Sequence, residues 1–257
     1  MLNSLLSVSL SRHPGSPAGR RTETENRSAP CSTCALNGVC LPRNVSARDM
    51  GLLDALSLAA KPVRHDAMLY RGNDPFAGLF AVRGGSFKSV GTSGNGLSKV
   101  TGFHLPGDIM GFEGIEDDRY HYSVVALEDS EVCRIPYGNL MRCASSVPGL
   151  QTGLLKIISG DINRDQGLML LLGAMSAEQR IAAFLLSLSR RYRDLHYAPH
   201  RFGLRMTRRD IGSYLGLSQE TVTRVFTKLV HQGLIAVDRR DVELTDVAGL
   251  TALVDSW

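Results

Sequence analysis

Three cysteines, Cys31, Cys34 and Cys40, fall within the ten residues CSTCALNGVC of a 257-residue chain that holds only five. A Cys-x2-Cys-x5-Cys run supplies three soft thiolate donors from one short stretch, and a Zn²⁺ site or an iron–sulfur cluster needs a fourth. Cys133 and Cys143 are both available. Spacing does not choose between them, and either can equally be a small buried hydrophobe. Five is an odd number for a disulfide framework, and the opening MLNSLLSVSL lacks the basic start and cleavage site of a secretion signal. A reducing, cytoplasmic setting is therefore expected, where clustered thiols bind metal or do redox chemistry.

A second set of residues suits nucleic acid. In TRRDIGSYLGLSQETVTRVFTKLVHQGLIAV, residues 207–237, a helix from Thr207 to Tyr214 breaks at Gly216, and Ser218 can cap a second helix. Val222, Val225, Phe226 and Leu229 fall at i, i+3, i+4 and i+7, which makes one buried stripe and leaves the polar residues outside it. Two helices of this kind can simply pack together. The types left outside argue for more: Arg224 can pair with guanine, Glu220 can accept from cytosine, and the Thr223 methyl suits thymine. Arg208, Arg209, Lys228, Arg239 and Arg240 can reach phosphates. Double-stranded DNA is the expected partner.

These residues need elements to hold them. From about 62 to 137, short apolar runs cut by glycines predict antiparallel strands in a sandwich or jelly roll. From Pro148 the texture becomes helical, and Ser176 opens another helix over 176–194. The expected class is α+β: a disordered leader (1–30), the cysteine run with a β jelly-roll sensor domain (31–147), a dimerisation helix (148–175) and a winged helix-turn-helix (176–257). A net charge of +4 permits nucleic acid without demanding it. No apolar run reaches the roughly 18 residues that would span a bilayer, so no membrane role is expected. No nucleophile-elbow, phosphate-loop or dinucleotide motif is present, and His104 has no partner acid at a telling distance, so no enzyme is expected.

In the long helix, positions 151, 155, 158, 162, 165, 169 and 172 alternate steps of four and three. They hold Gln151, Leu155, Ile158, Ile162, Asp165, Met169 and Leu172, a dimerisation seam with one acid in it. In a twofold dimer that acid nears its own copy, where desolvation and like charge both oppose pairing. The alternative is that Asp165 leans to the edge of the seam and pairs with Arg164 or another base.

CSTCALNGVCLP, TGFHLPGDIMGF, VCRIP, AEQRIAAFLLSLSRR and MTRRDIGSYLGLSQETVTR, in this order, resemble the CRP/FNR family of bacterial transcription regulators, and within it the oxygen-sensing FNR branch. The resemblance spans about 31 to 247. It implies a cyclic-nucleotide-binding-like jelly roll and a 4Fe-4S cluster rather than zinc, with Cys133 as fourth ligand because EVCRIP matches the family's segment. It implies a homodimer when the cluster is loaded, RNA polymerase as a further partner, and oxygen-responsive control of anaerobic genes. A zinc-stapled regulator without redox sensing is the alternative. The branch reads its half-site with Glu-x-x-Ser-Arg; here Thr223 replaces Ser between Glu220 and Arg224, and a site resembling TTGAT-N4-ATCAA is implied. An Asp also occupies the Asp165 place in relatives, whereas the family's arginine near the helix start is Gln151 here. Cyclic-nucleotide-binding relatives carry an Arg-Ser or Arg-Thr pair where this chain has His121-Tyr122-Ser123, so a nucleotide phosphate lacks its charge partner and no cyclic nucleotide is expected.

Overall fold

The computed structural model describes residues 30–56 and 58–256; the expected leader lies, but for Pro30, outside them. The cysteine run forms two 3-10 turns, Cys31–Thr33 and Leu41–Asn44, and a short helix α1 (Met50–Asp54) follows. Eight strands come next: β1 (Ala59–Val63), β2 (Met68–Tyr70), β3 (Leu79–Gly84), β4 (Phe87–Thr92), β5 (Ser98–His104), β6 (Ile109–Met110), β7 (Ser123–Ala126) and β8 (Ser130–Ile135). They pair antiparallel in two four-stranded sheets, β1-β8-β3-β6 and β2-β7-β4-β5, which is the jelly roll. Phe80, Val82, Phe87, Val124 and Val132 from both sheets fill the space between them.

Helix α2 (Tyr137–Ser146) leads into α3 (Pro148–Ala174), the long helix. Pro148 suits its first turn, where the missing N–H costs nothing. Helix α4 (Ala177–Asp194) starts in a capping box in which Ser176 accepts from Gln179 N–H and the Gln179 side chain accepts in return. Then follow β9 (Arg201–Gly203), α5 (Arg208–Leu215), α6 (Gln219–His231), β10 (Ile235–Asp238), β11 (Asp241–Leu244) and α7 (Val247–Asp255). Thr207 is the N-cap of α5 rather than its first residue, and Gly216 ends that helix at φ 66°. The wing is a three-stranded sheet, β10-β11-β9, not only a hairpin. Strand β9 is three residues long and pairs with β11 some forty positions away, so it leaves no periodic signal in the sequence.

The helix-turn-helix part does not hang free. Val100, Phe103, Leu105 and Leu127 of the jelly roll share one apolar core with α4, α5 and α6. Phe103 packs on Tyr214 and Phe184, with ring centres 5.2 and 5.9 Å apart. Polar groups surround this core: Lys88 Nζ lies 2.6 Å from Asp210, Ser213 Oγ accepts from Val100 N–H at 2.9 Å, and Arg191 pairs with Asp108 while donating to the Phe103 carbonyl.

Candidate cysteine pocket and nucleic-acid interface

Cys31 opens the first 3-10 turn, Cys34 closes it, and Cys40 precedes the second. Cys133 sits in the centre of β8, opposite Ala60 of β1 and Ala81 of β3. All four thiols line one pocket, together with Leu41, Leu58 and Arg83. Cys143 is elsewhere, on α2, its thiol turned to the Leu52 carbonyl at 3.7 Å.

Burial pushes the Cys31 and Cys40 thiols up to about 12, and the neighbouring cysteines push the same way. Burial raises Cys133 too, against the pull of Arg83. Without a cation the pocket therefore favours neutral thiols, and a bound metal ion would reverse that preference. As they stand, no three Cys, His, Asp or Glu side chains converge closely enough to hold a metal among the described residues. The donor set nonetheless suits a thiolate-held group: four thiols, no carboxylate or imidazole in the lining, and mostly apolar walls.

The loop's exit is fastened to the long helix. Leu41 and Pro42 are buried. Gly149, in the first turn of α3, meets the Asn44 carbonyl so closely that a Cβ there would lie 2.2 Å from the oxygen. Two turns further on, Lys156 donates to the Asn44 side chain at 3.1 Å.

Along α3, Leu155, Ile162 and Met169 are 68, 50 and 65% exposed in the single chain, and Ile158 is half-buried. Large apolar groups so exposed in one row form a surface suited to a second helix. Asp165 lies exposed in the same row. Arg164 pairs with Asp161, one turn back, and not with Asp165. Burial pushes Asp161 up to about 6 although Arg164 draws it down. Sequence reasoning passed over Asp161; its i, i+3 spacing to Arg164 was the available signal.

The helix-turn-helix places its side chains on two faces. Val222, Val225, Phe226 and Leu229 are buried, while Glu220, Thr223, Arg224, Thr227 and Lys228 are exposed. Ser218 caps α6 by accepting from Thr221 N–H at 3.1 Å. The Thr223 hydroxyl donates to the Gln219 carbonyl at 3.0 Å, so its hydrogen is already committed within the helix. Arg209 is exposed, and Arg239 and Arg240 form the wing tip between Asp238 and Asp241. Two residues expected at phosphates have other partners. Arg208 lies over the Phe226 ring, 3.4 Å from its centre, and burial lowers it to about 10. It ties α5 to α6 as a cation on an aromatic face. Lys228 Nζ pairs with Glu178 at 2.6 Å.

Inside the jelly roll, Tyr70 and Tyr120 stack with centres 3.9 Å apart. Glu113, from the segment that resembles the phosphate cassette, accepts from the Tyr70 hydroxyl at 3.3 Å, and His121 pairs with Asp117. His104 lies 2.5 Å from Ser89 Oγ, and burial lowers its imidazole to about 4. A neutral histidine held this way is structural.

The cyclic nucleotide-binding domain family matches residues 60–146 and the Crp-like helix-turn-helix domain family matches 179–253. The chain is 41% identical to the transcriptional regulatory protein btr of Bordetella pertussis, covering 91% of this chain and 97% of that one. It is 39% identical to the transcriptional activator protein anr of Pseudomonas aeruginosa over 88% and 92% of the two chains. With the fumarate and nitrate reduction regulatory protein of Salmonella typhi it shares 34% over 91% and 94%. Among solved structures, FixK2 from Bradyrhizobium japonicum superposes with a TM-score of 0.70 at 29% identity, covering 78% of this chain and 98% of that one.

Proposed function

The chain belongs to the FNR branch of the CRP/FNR family of transcription regulators, and from that premise we propose that it senses oxygen through a 4Fe-4S cluster held by Cys31, Cys34, Cys40 and Cys133. No helix among its described residues is long and apolar enough to cross a membrane. The observation that carries the proposal is the pocket: four thiols from two distant segments face one space, and their loop runs directly onto α3. When bound, the cluster supplies an oxygen-labile crosslink among the four thiolates.

Everything else is done by the chain. Leu41 and Pro42 carry the loop's position to Asn44, and Asn44 rests on Gly149 and accepts from Lys156, so a closed loop steadies the first turns of α3. Leu155, Ile158, Ile162 and Met169 then pair with their copies in a homodimer. Asp165 opposes that pairing: moving a carboxylate out of water beside its twin costs several kcal/mol. The equilibrium is thus poised, and a modest gain at the loop decides it.

In the dimer the two α6 helices lie in successive major grooves of a twofold site resembling TTGAT-N4-ATCAA. Arg224 pairs with guanine, Glu220 accepts from cytosine and Thr223 presents its methyl. Arg209, Arg239, Arg240 and Lys228 face phosphates, with Lys228 leaving Glu178 to do so. Bound there, the regulator recruits RNA polymerase to anaerobic promoters. No cyclic nucleotide takes part, since His121-Tyr122-Ser123 stands where a phosphate would need an arginine and Glu113 is engaged by Tyr70.

Purification without oxygen, followed by iron, sulfide and zinc analysis, tests the proposal. Iron and sulfide in equal amounts, lost in air together with dimerisation, are expected. Stoichiometric zinc in a colourless protein overturns oxygen sensing in favour of a zinc-stapled regulator.

A further inference from the structure

One carboxylate holds the cysteine loop from outside it. Asp54 ends α1, and its Oδ1 accepts from the backbone N–H of Ser32 at 3.1 Å, between Cys31 and Cys34. Hydrogen bonding from Ser32, with the Cys31 backbone beside it, holds the Asp54 carboxyl below its ordinary value against a small cost of burial. The platform is firm. Leu53, the preceding residue, is wholly buried, and the turn before α1 is tied by Ser46 and Asp49.

The loop itself is weakly braced. The first turn spans three residues and closes with one backbone bond, Cys34 N–H to the Cys31 carbonyl at 3.2 Å. A single 3-10 turn has poor hydrogen-bond geometry and little stability alone. An anchor on a helix pinned by the buried Leu53 therefore decides where Cys31 and Cys34 stand relative to Cys133.

We propose that Asp54 is a positioning residue for the metal-binding loop, its carboxylate oxygen holding the Ser32 N–H so that Cys31 and Cys34 close on a thiophilic metal with Cys40 and Cys133. This rests on the reading of those four cysteines as one ligand set. Two properties of Asp54 pull in opposite directions. Its oxygen organises the loop, while its negative charge, held on the Ser32 N–H next to Cys31, opposes the gathering of further negative charge. Asparagine keeps the acceptor and drops the charge; alanine loses both.

The test is Co²⁺ titration of the reduced, metal-free, full-length protein, read by the thiolate-to-cobalt charge-transfer band, alongside hydrogen exchange at the Ser32 amide. Outer-shell partners of metal ligands are worth about 10–100-fold in affinity, and an anchor on the adjacent peptide belongs at the low end. Asp54→Ala is expected to bind about tenfold more weakly and to exchange the Ser32 amide faster, whereas Asp54→Asn binds at least as tightly as the parent. Thermal melts identify any variant that fails to fold, and the asparagine variant, which keeps the Oδ1 acceptor for the Ser32 N–H, carries the test in that case. A parent protein that gives no thiolate band overturns the ligand set and the inference with it. A parent that binds, with Asp54→Ala equal to it or Asp54→Asn as weak as alanine, overturns the inference alone.

Discussion

Lys88 and Asp210 stand 122 residues apart in the chain and 2.6 Å apart in space. Lys88 is on β4 of the jelly roll, and Asp210 is in the first turn of α5, where it also accepts from the N–H and hydroxyl of its N-cap, Thr207. One carboxylate therefore completes a helix cap and fastens the helix-turn-helix part to the jelly roll.

Replacing Lys88 by Met keeps the aliphatic stem and removes the charge. Burial pushes the Asp210 carboxyl up, but the hydrogen bonds from Lys88 and Thr207 outweigh it and hold the group below its ordinary value. Loss of one such bond to a mostly buried carboxylate costs about 1–3 kcal/mol, measurable by urea unfolding at pH 7. A folded-state value below the unfolded one gives stability that is present above the ordinary carboxylate pKa near 3.8 and lost as pH falls through the lower folded value. The difference between parent and Lys88→Met should fade over that range. A difference that persisted at lower pH would place its origin in packing.

The two cysteines outside the loop separate cleanly. Cys133→Ser removes a thiolate from the pocket and should abolish the iron–sulfur absorbance, as should Ser at 31, 34 or 40. Cys143→Ser should leave absorbance and site-specific DNA binding unchanged, because its thiol faces Leu52. Loss of iron from Cys143→Ser with retention in Cys133→Ser would reverse the assignment.

Arg224 and Lys228 should differ in kind. Arg224→Ala is expected to cost about 1–3 kcal/mol at the specific site and to relax its guanine preference. Lys228→Ala should weaken all sequences alike and reduce the salt slope by about one. Since Glu178 holds Lys228 in the free protein, Glu178→Gln should tighten non-specific binding. Equal effects of the Arg224 and Lys228 substitutions across matched and mismatched sites would argue against base reading by Arg224.

Asp165→Ala removes one desolvated charge from each subunit of the dimer. Two terms of a few kcal/mol shift an equilibrium by several orders of magnitude, since each 1.4 kcal/mol is tenfold. The cluster-free variant should sediment as a dimer in air and bind its site. If it stays monomeric, the charge in the seam does not set the equilibrium.

The sequence determined what local pattern can carry. The stripe Val222, Val225, Phe226 and Leu229, the caps Ser176 and Ser218, and the stop at Gly216 follow from 3.6-residue periodicity and from which side chains satisfy free N–H groups. The exposed row through Leu155, Ile162 and Met169 was legible for the same reason. Spacing did not separate Cys133 from Cys143, although the resemblance of EVCRIP implied Cys133: both are single cysteines with a helix or strand around them, and the pairing of β8 with β1 and β3 brings one to the loop and leaves the other on α2. Packing across the chain likewise took Arg208 onto Phe226 and gave Lys228 to Glu178, although both read as free cations in sequence. Asp54 and Lys88 show the same division. An ion pair or hydrogen bond needs its partner within about 3 Å, and when that partner lies on another element, only the tertiary fold decides whether it is there.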